Sequence, residues 1–142
     1  MKKSIFLSLF FVMALQIYAQ NDPVAYYINK CISLLGNNVP EGFQRMNRTG
    51  YKNDEDIILM TENGTVVLSM FGTTFDRNNE AAEFNALFYD YFESNNWNFH
   101  ISRRDGDIYI KNGIYAIITN PSRRDDGLIV TMIAFSRNVN NF

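Results

Sequence analysis

The chain has 142 residues, 46% of them hydrophobic, with 13 Lys and Arg against 15 Asp and Glu. The slight acidic balance carries no basic footprint, so nucleic acid is not an expected partner. With one cysteine and one histidine, the chain can close no internal disulfide and build no ordinary His/Cys zinc site.

The N-terminus reads as an address. Lys2 and Lys3 precede an apolar run over 5–15, broken only by Ser8, and Gln16-Ile17-Tyr18-Ala19 follows. That is the charged, apolar, short-exit order of a secretory signal peptide cut after Ala19. The run is too short for a membrane span of about 20 residues. Cleavage would leave one domain over 20–142, exported to the periplasm or medium, with 11 basic residues against 15 acidic ones. No membrane span is expected after it.

The first element starts at Asp22-Pro23, a capping residue followed by the residue favoured at the first helical position. Val24, Tyr27, Ile28, Cys31, Leu34 and Leu35 then recur on one face. The spacing predicts a helix over 23–35, closed by Gly36, with Cys31 on its apolar stripe. Residues 37–54 show no period and read as a long connection with a short strand near 42–45. Two β-rich runs at 57–61 and 66–70 flank Asn63-Gly64, the preferred two-residue loop of a type I′ hairpin. That register pairs Thr61 with Val66, Leu59 with Leu68 and Ile57 with Met70. It leaves Ile58, Met60, Val67 and Phe71 on an apolar second face.

Residues 79–97 carry the strongest pattern. Ala81, Phe84, Leu87, Phe88, Tyr91 and Phe92 share one helical face, while Glu80, Glu83, Asn85, Asp90 and Glu93 fall elsewhere. Asn78 or Asn79 is the expected cap, and Trp97 is placed to close the end of the core. Strands are expected at 98–104 and 107–111 around an Asp105-Gly106 loop. In that register Phe99, Ile101, Ile108 and Ile110 face inward, while His100, Ser102, Arg104, Asp107, Tyr109 and Lys111 face water. Arg103 would point inward and need a partner, with Asp125 or a helix terminus expected. Asn112-Gly113 turns into a strand at 114–119. A charged loop at 120–127, a last strand at 128–136 and a ragged tail at 137–142 complete the chain. The expected fold is α+β, a two-layer sandwich in the order α-ββ-α-ββββ. Two helices would lie on an antiparallel sheet of about six strands.

No catalytic set stands out. The lone His100 has no nucleophile assigned to it, no Gly-rich phosphate loop is present, and Asp105-Gly106-Asp107 is too short for a calcium loop. No cofactor, metal or catalytic residue is therefore expected, and the chain leans away from an enzyme. One weak repeat remains: Ser102-Arg103-Arg104-Asp105-Gly106-Asp107 is echoed by Ser122-Arg123-Arg124-Asp125-Asp126-Gly127. If 98–136 runs up and down, both segments emerge at the same end of the sheet. Arginine forks with aspartates suit recognition of charged groups. The candidate partner-binding residues are Arg104, Arg123, Arg124 and Asp125 on this rim, with Tyr109 and Lys111 on the expected polar face. The expected function is an exported, noncatalytic binding or inhibitory module acting on a protein or cell-envelope partner. The alternative is a small apolar-ligand carrier with a pocket between helix 79–95 and the sheet, lined by Phe88, Phe92 and Trp97.

Overall fold

The computed structural model describes residues 22–54, 57–69, 74–75 and 77–142. The signal-peptide segment, Met70, Phe71 and the lead at 72–73 into the second helix lie outside the described residues. Helix α1 (Pro23–Leu35) has the expected bounds, and Asp22 accepts hydrogen bonds from the Val24 and Ala25 amides. Gly36 is its C-cap at φ −83°, and the left-handed residue that ends the helix is Asn37 at φ 63°. Asparagine takes that conformation at little cost because its short polar side chain bonds locally.

The long connection holds two short strands, β1 (Gln44–Arg45) and β2 (Gly50–Lys52). They carry no alternating pattern of their own. Asn47 turns the chain between them by accepting from the Thr49 and Gly50 amides at 2.9 and 2.7 Å. The hairpin of β3 (Ile58–Glu62) and β4 (Thr65–Ser69) has the expected register, Thr61 opposite Val66 and Leu59 opposite Leu68. Asn63 and Gly64 take φ 49° and 77°, the positive pair a type I′ turn requires. β5 (Thr74–Phe75) leads to helix α2 (Asn78–Ser94). Its N-cap is Arg77, which makes no side-chain cap bond, so neither asparagine plays that part.

The remaining strands are β6 (Asn98–Arg103), β7 (Gly106–Lys111), β8 (Ile114–Thr119), β9 (Ser122–Arg123), β10 (Ile129–Val130) and β11 (Ile133–Ser136). The fold is α+β, with two helices and a large antiparallel sheet. That sheet has eight strands rather than six, ordered β1-β2-β3-β4-β11-β8-β7-β6, and β5-β10-β9 form a second, three-stranded sheet. The expected single strand at 128–136 is thus divided between two sheets. The break falls at Thr131, whose side chain is fully buried. Its hydroxyl bonds Asn85 Oδ1 and the Thr119 carbonyl, both at 2.8 Å. Asn85 Nδ2 also donates to the Thr119 carbonyl at 3.0 Å. A buried polar group must find such partners. These partners divert the chain from one sheet to the other and turn Asn85, expected outside, into the core.

One face of the large sheet carries the main core. Ile57, Leu59, Val66, Leu68, Ala116, Ile118, Ile133 and Phe135 meet Ile28, Cys31 and Leu34 of α1 and Phe84, Phe88 and Phe92 of α2. Trp97 closes the end, its ring 4.8 Å from that of Phe92. The opposite face carries a smaller cluster of Ile108, Ile117 and Ala134 under Val139 and Phe142. The tail is therefore ordered: Val139–Asn141 is a 3-10 turn capped by Asn138.

The β6–β7 hairpin differs from expectation by one residue. Arg103 pairs with Gly106, so the loop is Arg104-Asp105 and Gly106 begins β7. The loop moves by one residue on both strands, a pairing shift of two, so Ile101 and Ile108 still share a face. That face is the one away from the helices: Ile108 joins the smaller cluster, and Tyr109, opposite Ala116 of β8, enters the main core. A bulge between Phe99 and Ile101 then leaves both of those residues exposed, at 58% and 44%.

Candidate functional site

The rim is built outward from the half-buried Thr119 peptide. Asn85 and Thr131 hold its carbonyl, and the Met132 amide donates to the Thr119 hydroxyl at 2.7 Å. One residue on, the Asn120 amide donates to the Asp105 carbonyl at 2.9 Å, and Asn120 Nδ2 donates to the Arg104 carbonyl at 3.1 Å. These bonds fasten the Arg104-Asp105 turn to the 120–127 loop, because β6, β7, β8 and β11 are consecutive neighbours in the sheet. The two echoed segments therefore meet at one end of the sheet.

Within the loop, the Arg124 amide donates to the Leu128 carbonyl at 2.8 Å, and the Gly127 amide to the Arg124 carbonyl at 3.0 Å. Gly127 turns at φ 85°. Arg123 Nη1 donates to the Gly127 carbonyl at 2.8 Å, and Arg124 pairs with Asp126 at 2.9 Å. Both members of that pair are largely exposed, so it holds about 0–1 kcal/mol and is easily exchanged for another partner. Arg104, Asp105 and Asp125 stand exposed on the same rim. The arrangement presents three guanidinium groups and three carboxylates on a backbone fixed by hydrogen bonds.

Tyr109 and Lys111 do not belong to a wet face. They stand opposite Ala116 and Ile114 of β8, whose side chains lie in the main core, and so face the helices. Tyr109 is buried, its ring 5.2 Å from Phe92. Burial pushes its phenol pKa up, aided by the nearby negative charges of Glu93 and Asp107. Lys111 Nζ donates to the Asn95 carbonyl at 2.6 Å. It thereby places a cation at the C-terminal end of α2, where the helix dipole favours one. Ser102 joins a second tie between sheet and helix: its hydroxyl and that of Tyr89 both donate to Asp107, the latter at 2.9 Å. Burial, then the hydrogen bond to Asp107 and its charge, raises the Tyr89 pKa, which keeps the phenol a donor. Arg103 does not find Asp125. Its Nη1 donates to the Val139 carbonyl and the Phe142 main-chain oxygen, at the first residue and the C-cap of the 3-10 turn Val139–Asn141.

The groups with nucleophilic or basic chemistry stay apart. Cys31 is fully buried on α1, and burial raises its thiol pKa strongly. His100 is exposed beside Tyr115, with ring centroids 5.4 Å apart, on the other side of the sheet. Cys31 is accordingly expected to be inert in the native protein. A disulfide-exchange reagent should label no thiol in buffer and one per chain in denaturant; rapid native labelling would contradict this burial. Among the described residues, no group of three or more His, Cys, Asp or Glu side chains is placed to hold a metal ion. No helix among them is long and apolar enough to cross a membrane.

No protein-family model matches this sequence, and neither the curated proteins nor the solved structures give a match. The function must therefore be read from the site.

Proposed function

We propose that this protein is an exported binding or inhibitory module that acts on a protein or cell-envelope partner through the mixed-charge rim. The observation that carries the reading is the fastening of Arg104-Asp105 to the 120–127 loop through Asn120. It brings Arg104, Arg123, Arg124 and Asp125 together on an ordered backbone and leaves their side chains exposed. A preordered backbone lowers the entropy cost of binding, and exposed arginine forks with carboxylates beside them give orientation. Export follows from the N-terminal address. Catalysis is not part of the proposal, because the rim offers recognition chemistry without a nucleophile–base pair.

The carrier alternative gains no specific support. Phe88, Phe92 and Trp97, its expected lining, are buried in the main core. The ring centroids of Phe84 and Phe88 lie 5.2 Å apart, and those of Phe92 and Trp97 lie 4.8 Å apart.

The test is affinity capture by the mature protein from its own cell envelope and medium, read by mass spectrometry. The double variant Arg123→Ala plus Arg124→Ala is expected to reduce recovery of the captured partner about fivefold or more, with a nearly unchanged melting temperature. Wild-type capture should also weaken as salt rises toward about 0.5 M, because exposed charges are screened. Equal recovery by the double variant and wild type would sink the rim as the binding surface.

A further inference from the structure

The sheet face away from the helices carries one unbroken apolar row. Met60, Val67, Ala134, Ile117, Ile108 and Ile101 stand opposite one another, strand after strand, across β3, β4, β11, β8, β7 and β6. At about 4.8 Å per strand the row spans roughly 24 Å. Its middle is buried, with Ala134, Ile117 and Ile108 at 6%, 4% and 0% exposure, while Met60 and Ile101 at its ends stand at 45% and 44%. What covers the middle is the segment after β11: Val139 and Phe142 pack against those three residues.

We propose that residues 137–142 form a displaceable strap, latched by Arg103, whose release uncovers this row. The strap leaves β11 after Ser136 and crosses β8 and β7 to reach Arg103 on the edge strand β6. Arg103 Nη1 donates to both the Val139 carbonyl at 3.2 Å and the Phe142 main-chain oxygen at 2.5 Å. A second fastening joins Asn141 to the β3–β4 turn and the end of β11: its Nδ2 donates to the Asn63 carbonyl at 3.1 Å and to Ser136 Oγ at 2.8 Å. Both fastenings hold the three-residue 3-10 turn Val139–Asn141, which has little stability of its own. Arg137, Asn138, Asn140 and Asn141 are exposed, so Val139 and Phe142 alone supply apolar contact. Two half-buried side chains set against the ordering of six residues leave a small margin. The charged latch therefore decides whether the strap is closed. Opening it joins the exposed ends of the row through the middle into one apolar stripe.

The test is native-state hydrogen exchange with the full chain, comparing wild type, Arg103→Ala and Asn141→Ala. Wild-type amides in 137–142 are expected to be protected relative to a free peptide of the same residues. In Arg103→Ala their exchange should rise about tenfold or more, with β4 and β8 unchanged, and binding of an apolar dye such as anilinonaphthalene sulfonate should increase. Asn141→Ala should move both readouts in the same direction. It removes only one bond to Ser136 at the end of β11 and one to the Asn63 carbonyl, and so decides the matter if Arg103→Ala does not fold. Three results would overturn the strap. One is wild-type exchange as fast as the free peptide. Another is unchanged exchange and dye binding in folded variants. The third is acceleration spread evenly over the whole sheet.

Discussion

Phe92→Ala is expected to lower the unfolding free energy by about 3–5 kcal/mol. Phe92 is fully buried where α2 meets the sheet. Its ring lies 4.8 Å from Trp97, 5.2 Å from Tyr109 and 6.4 Å from Phe135. Removing it leaves a ring-sized space walled by three other rings. Those walls cannot close inward, because each is held elsewhere: Tyr109 and Phe135 by strands, and Trp97 by the hydrogen bond from its amide to the Phe92 carbonyl at 3.0 Å. A loss of this size is a third or more of the stability of a typical domain. The urea midpoint should fall with little change in slope, and the melting temperature should fall by about 10–20 °C. A shift below about 1 kcal/mol would mean that these rings are not the centre of the core.

Gly106→Ala is expected to cost about 2 kcal/mol or more. A Cβ at this position would stand 2.2 Å from the Ile118 carbonyl oxygen and 2.8 Å from the Thr119 Cα. Both are backbone atoms of β8, so no side-chain rotation relieves the clash, and β7 must move away from its neighbour. Overpacking of this kind costs about 1–3 kcal/mol and sometimes more. The stiffer unfolded chain returns only about 0.4–1 kcal/mol. Gly113 supplies the contrast. It turns at φ 74°, and a Cβ there would meet nothing within 4 Å, so Gly113→Ala should cost only about 1 kcal/mol of backbone strain. The urea midpoint should therefore fall further for Gly106→Ala than for Gly113→Ala. Equal costs would show that turn strain, rather than close packing of β7 on β8, explains the glycine at 106.

The same glycine explains where the β6–β7 loop falls. Asp105-Gly106 carries the mark of a hairpin loop, and at Asn63-Gly64 and Asn112-Gly113 the same kind of mark gives the observed turns, with positive φ at all four residues. At 106 the glycine serves instead to admit the backbone of β8. That requirement is set by a strand that begins eight residues further along the chain, and it leaves no local trace. Tyr109 and Lys111 face the helices because they stand opposite Ala116 and Ile114 of β8 in the main core, and the candidate surface contracts to the rim. The rim itself was legible as a repeated Ser-Arg-Arg-Asp segment. Its assembly depends on Asn120 bridging two loops, which the repeat alone does not specify. The latch was half legible: Arg103 was expected to need a partner, yet its partners are backbone carbonyls in a tail with no periodic signal.

By itself the sequence determined both helices, the β3–β4 hairpin, the strand over 114–119 and the α+β class. Each rests on short-range physics: a capping aspartate, a 3.6-residue apolar stripe, or an Asn-Gly turn that sets its own register. The tertiary structure alone decided the β6–β7 register, the division of the last strand between two sheets, the burial of Asn85 and the course of the tail. Those features depend on where a distant backbone approaches and on which distant group satisfies a buried polar atom, and neither is written in local periodicity.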